Sequence, residues 1–72
     1  MNLLKFDWDR LEEMIEEILN ARMRTYAFYE YLIVNEKHIL VKIYDEVKGQ
    51  IIHVFTLKLE LRNDKLEVSG VN

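Results

Sequence analysis

Cysteine and proline are absent from this 72-residue chain, and glycine occurs only at Gly49 and Gly70. Without cysteine there are no disulfides and no thiolate zinc sites. The two imidazoles, His38 and His53, are too few for a closed metal centre, so no cofactor or metal is expected. Two isolated glycines exclude a glycine-rich phosphate loop. No apolar run approaches the length of a membrane-spanning helix, and Met1-Asn2-Leu3-Leu4-Lys5 lacks the long apolar stretch of a secretory signal. The expectation is therefore a cytoplasmic protein with no membrane contact.

Charge of one sign is also missing. Ten Lys and Arg face thirteen Asp and Glu, a net charge of −3, so no overall field draws a polyanion to the surface. What is present is apolar: half of the residues are hydrophobic, too many for a disordered chain. Seventy-two residues make one domain, and a domain this small buries only about 60% of its unfolded surface. Small domains compensate with disulfides, metals or oligomers. With the first two removed, association is the remaining route.

The periodicity changes near Arg24. Trp8, Leu11, Ile15, Ile18 and Leu19 follow the 3–4–3 spacing of one helical stripe, with Met14 and Met23 beside it. Asp7 is a natural N-cap, Asp9, Glu12 and Glu13 suit the positive end of the macrodipole, and Arg22 and Arg24 suit the other. A helix over 8–24 follows. Glu12-Glu13 and Glu16-Glu17 read as a solvated face rather than an acidic docking or cation site. Arg22 falls inside the apolar stripe. Its stem can lie on the core while its guanidinium reaches the last helical carbonyls. The sharper reading sets it at a pocket mouth beside Tyr26.

Four strands follow, at 26–34, 38–45, 50–61 and 65–69. Their turns are Asn35-Glu36-Lys37, Val47-Lys48-Gly49 (three residues with a bulge at Gly49) and the two-residue Asn63-Asp64. Tight connections make the sheet an antiparallel meander. The predicted fold is α+β in the order α-β-β-β-β, with the helix on one sheet face.

Alternation assigns the faces. His53, Phe55, Leu57, Leu59 and Leu61 share one side of the third strand. The 47–49 loop sets Ile39, Val41 and Ile43 across from Leu57, Phe55 and His53, and the last turn sets Leu61 opposite Leu66 and Leu59 opposite Val68. This side is the floor for the helix. On the other side Lys58, Glu60, Lys65 and Glu67 are polar, as a wet face should be. Leu40, Tyr44, Ile52 and Val54 on that side are not. They are joined by Phe28 and Leu32, or by Tyr29, Tyr31 and Ile33, depending on the first-hairpin register. A three-residue turn at 35–37 sets Glu30 across from Lys42, which selects Phe28 and Leu32. One helix covers one face, so something else must cover this one: Leu3, Leu4 and Phe6, or a second copy of the chain, or another protein.

Catalysis has little material. Thr25, Thr56 and Ser69 are the only hydroxyls besides tyrosine, and a core-facing His53 would point away from Ser69. A non-enzymatic interaction module, most simply a homodimer, is the expected role. The competing expectation is weak single-stranded nucleic-acid binding, with Tyr29, Tyr31 and Tyr44 stacking bases beside Arg22, Arg24 and Lys42. The negative net charge disfavours it.

Overall fold

A computed structural model describes residues 3–5, 7–23 and 25–72. Arg24 and Phe6, and the side chain of Leu4, lie outside the described residues. The order of elements is a 3-10 turn at Leu3–Lys5, helix α1 (Trp8–Arg22), and strands β1 (Phe28–Ile33), β2 (His38–Val47), β3 (Gln50–Arg62) and β4 (Lys65–Val71). The strands form one antiparallel sheet in chain order.

Asp7 caps α1, its carboxylate accepting from the Asp9 N–H at 3.3 Å. The helix ends at Arg22, where Met23 turns extended and its N–H donates to the Leu19 carbonyl. Leu11, Met14, Ile15 and Leu19 are buried, and Ile18 is half-buried. Trp8 departs from the expected stripe. It is 60% exposed and leans on Tyr31 at a ring separation of 6.0 Å. The helical residues meet Ile39, Val41 and Ile43 of β2, Leu57, Leu59 and Leu61 of β3, and Leu66 of β4 in one core. Leu3 joins that core too, and its N–H donates to the Glu36 carbonyl at 2.8 Å. It therefore closes the helix side and does not cover the opposite face.

The first hairpin takes the register that pairs Glu30 with Lys42. Its turn is fixed by Asn35, whose side-chain oxygen accepts from the backbone N–H groups of Lys37 and His38 at 2.9 and 3.0 Å. The last hairpin turns at Asn63-Asp64, both at positive φ, and pairs Leu61 with Leu66 and Leu59 with Val68.

The middle hairpin differs from expectation. It turns in two residues, Lys48 (φ 53°) and Gly49 (φ 80°), with Val47 paired to Gln50. Such a turn alone would set Ile43 opposite Val54 and send Thr56 and Lys58 to the helix. A slip of one residue exchanges every side chain between faces. The chain cancels the slip with a β-bulge: Tyr44 pairs with His53, Ile43 pairs with Phe55, and Val54 is the extra residue. Beyond the bulge Val41 meets Leu57 and Ile39 meets Leu59. Phe55, Leu57, Leu59 and Leu61 keep the expected core face, while their pairing is displaced by two residues and His53 leaves that face.

The bulge predicts an asymmetry between removing and adding a residue. Deleting Val54 leaves Tyr44 paired with His53 and Ile43 with Phe55 in an unbroken ladder, with Leu57, Leu59 and Leu61 still inward, and should change stability by less than about 1.5 kcal/mol. Inserting one alanine after Phe55 instead sets Thr56 and Lys58 toward the helix and should cost more than about 3 kcal/mol. Thermal and urea melts followed by circular dichroism check both, and a deletion that destabilises as much as the insertion would contradict this reading.

Candidate functional site

The face away from the helix is built by the alternate residues of three strands. From β1 come Phe28, Glu30 and Leu32, from β2 Leu40, Lys42 and Tyr44, and from β3 His53, Thr56 and Lys58. The register sets Phe28 across from Tyr44 and Leu32 across from Leu40. The Phe28 and Tyr44 rings stack at 4.8 Å with 12° between their planes. Tyr44 meets the His53 ring edge-on at 5.7 Å. These three side chains form a row across three strands. Polar bonds hold the row at its middle and at one end. The Tyr44 hydroxyl donates to Glu30 at 3.4 Å, and His53 Nε2 is hydrogen-bonded to Thr56 Oγ1 at 2.9 Å. Partial burial and the Glu30 carboxylate both hold the Tyr44 phenol in its neutral form, raising its pKa.

Four of the six residues expected on the apolar patch are brought together here: Phe28, Leu32, Leu40 and Tyr44. Leu32 is 62% exposed, and Leu40 is partly covered between Leu32 and Lys58. Ile52 is not with them. The two-residue turn pairs Ile52 with Asp45, on the parity of the helix side, and Val54 is the bulge residue. His53 takes the place expected for its neighbours. It stands on the outer face beside Tyr44 instead of in the core, and it is exposed. The bulge was not encoded in the alternation of β3 read alone. The signal for it was Lys48-Gly49, a pair suited to a two-residue turn and out of phase with the leucines that follow.

At its other end the outer face is charged. Glu60 and Glu67 sit directly across from one another, an arrangement that like charges disfavour. Arg62 bridges them at 3.0 and 3.9 Å, and its guanidinium holds the Glu60 carboxyl below the usual range, with His38 and Lys37 adding to the effect.

The residues of the nucleic-acid reading are dispersed. Tyr29 and Tyr31 face the helix and are half-buried against the core. Arg22 is exposed beside Met23, Thr25, Phe55, Leu57 and Val71, around an open hollow of about 430 Å³ at the helix end. Of the described ones only Lys42 and Tyr44 share the outer face, both on β2, with Glu30 of β1 across from Lys42 and bonded to the Tyr44 hydroxyl. The acidic helix face is in part a partner of these tyrosines. Burial first, then the Glu16 and Glu12 carboxylates, push the Tyr29 pKa up to about 12, and burial and Glu12 raise that of Tyr31.

The Ser69 hydroxyl donates to the Lys58 carbonyl at 3.1 Å and His53 is engaged with Thr56, so neither hydrogen-bonds the other. Among the described residues no group of three or more His, Asp or Glu side chains is arranged to hold a metal ion. No helix among them is long and apolar enough to cross a membrane. No family model, no curated protein and no solved structure matches this chain.

The Tyr29 contact gives a pH dependence with a definite sign. The folded state keeps the phenolic proton that the unfolded chain releases near pH 10, so the folded state binds more protons between about pH 10 and 12. Stability from this group is present below pH 10 and is lost as pH rises toward 12. Melting temperatures across that window should fall less steeply for Tyr29→Phe than for the parent. Parallel curves would remove Tyr29 as the cause.

Proposed function

We infer that this protein is a small non-enzymatic interaction module that associates through its outer sheet face, most simply with a second copy of itself. The observation supporting this reading is the row Phe28–Tyr44–His53 with Leu32 and Leu40 beside it, on a face that neither the helix nor Leu3 covers. Aromatic anchors at the centre and charged groups at the margin are the composition of a protein-binding surface. Stacked, hydrogen-bonded rings lose little freedom on binding, which favours a rigid partner surface over a flexible ligand. Glu30 and Glu60 on the same face oppose a phosphate backbone, and Tyr29 and Tyr31 are turned away from it.

Two lysine substitutions separate binding from folding. Leu32→Lys on the exposed face should change stability by less than about 0.5 kcal/mol, yet weaken association by at least roughly 2 kcal/mol, about thirtyfold in the dissociation constant. Leu57→Lys places a charge in the helix–sheet core and should unfold the chain. Sedimentation over a concentration series, with thermal melts of the same samples, reads both effects. A parent and a Leu32→Lys variant that sediment identically at every concentration would reject self-association through this face.

A further inference from the structure

The sheet is longer than its cover. β3 has 13 residues, which at about 3.3 Å each span roughly 43 Å, and the molecule's longest dimension is 42 Å. The 15 residues of α1 rise only about 22 Å. Flanking strands stop as well: β1 pairing ends where the Ala27 N–H donates to Tyr44, and the β4 side ends at the Thr56–Asn72 bonds. Among the described residues, 45–54 thus form a two-stranded arm with no third strand paired to either edge, and Val47, Ile51, Ile52 and Val54 on it are all exposed. A lone two-stranded ribbon is marginal in water.

The two edges of the arm differ. On the β2 edge lie Asp45 and Glu46, and the Glu46 N–H is already taken by the Asp45 carboxylate at 2.8 Å. A second copy brought to this edge would meet like charges. The β3 edge, Gln50-Ile51-Ile52-His53-Val54-Phe55, carries no formal charge with His53 neutral, and no proline. Charge and proline are two of the devices that keep edge strands apart, and this edge has neither; its bulge, at Val54, lies outside the 51–53 stretch. A two-residue turn makes Val47–Gln50 a hydrogen-bonded pair, so alternation turns the N–H and C=O of Ile51 and His53 toward the open edge.

We propose that the β3 edge of the arm pairs antiparallel with the same edge of a second copy, Ile51 opposite the partner's His53 and Ile52 on the two-fold axis. Each Ile51–His53 pair exchanges two main-chain hydrogen bonds, and the uncharged segment places no like charges in opposition. The axis of such a pair is perpendicular to the sheet, so both outer faces look the same way and join into one wider surface. The inference uses the arm alone and does not rest on the reading of the outer face.

The experiment is cysteine cross-linking, for which the natural chain has no background thiol. In this register the two Ile52 positions form a non-hydrogen-bonded pair about 4.5 Å apart at Cα, within disulfide reach. Ile52→Cys should oxidise to a covalent dimer at least tenfold faster than the exposed control Lys65→Cys. Adding Leu32→Lys should leave that rate unchanged. Adding Ile51→Pro, which removes an outward N–H without breaking the hairpin, should reduce it to the control rate, with circular dichroism confirming the fold. Equal rates for Ile52→Cys and Lys65→Cys would overturn the proposal, as would a fast cross-link lost on adding Leu32→Lys but kept with Ile51→Pro. That last pattern would instead uphold face-to-face association.

Discussion

A helix of about 22 Å lies against a strand of about 43 Å, and every other property of the molecule follows from that mismatch. Where the helix lies, the sheet is a dry floor: Ile39, Val41, Ile43, Leu57 and Leu59 are all 1% exposed or less. Where it does not, none of residues 44–55 is buried. Fifteen helical residues offer four buried apolar side chains, enough to cover the seven-residue half of the β2–β3 ladder next to the outer turns and no more. The remaining half must find its cover elsewhere or stay wet.

The Val54 bulge marks the border between those halves. On the helix side of it, the ladder obeys the leucine alternation. On the arm side, it obeys the turn. Both demands are strong, since Lys48-Gly49 closes a two-residue hairpin and Leu57, Leu59 and Leu61 must all face the helix. One unpaired residue reconciles them, placed where burial is already ending and an irregular ladder costs least. Its side effect is functional in our reading, because it brings His53 next to Tyr44 and extends the aromatic row across a third strand.

Much of this was legible in the residues. The capped helix, the four strands, the Glu30–Lys42 register and the Leu61–Leu66 pair each follow from a local rule that tertiary structure had no reason to override. The faces of Ile52 and His53 were not, because periodicity carried along β3 presumes an unbroken ladder, and a bulge is decided by the conflict between two distant signals. Trp8 was misplaced for a different reason. At the first helical position it overhangs the sheet edge, where Tyr31 receives its ring. Leu3 was one of several candidate covers for the outer face, and nothing in its spacing reveals that the Glu36 carbonyl anchors it on the helix side.

The long hairpin is thus divided into a covered half and an uncovered arm, and that division can be measured residue by residue. Amide hydrogen exchange at low protein concentration should show Val41, Ile43, Leu57 and Leu59 opening only with global unfolding. The hydrogen-bonded arm amides of Val47, Gln50 and Ile52 should exchange at least a hundredfold faster, through local fraying of the ribbon. A uniform level of protection from Gln50 to Leu61 in the dilute protein would contradict it, since the arm would then be as stable as the core without a helix or a neighbouring strand to make it so.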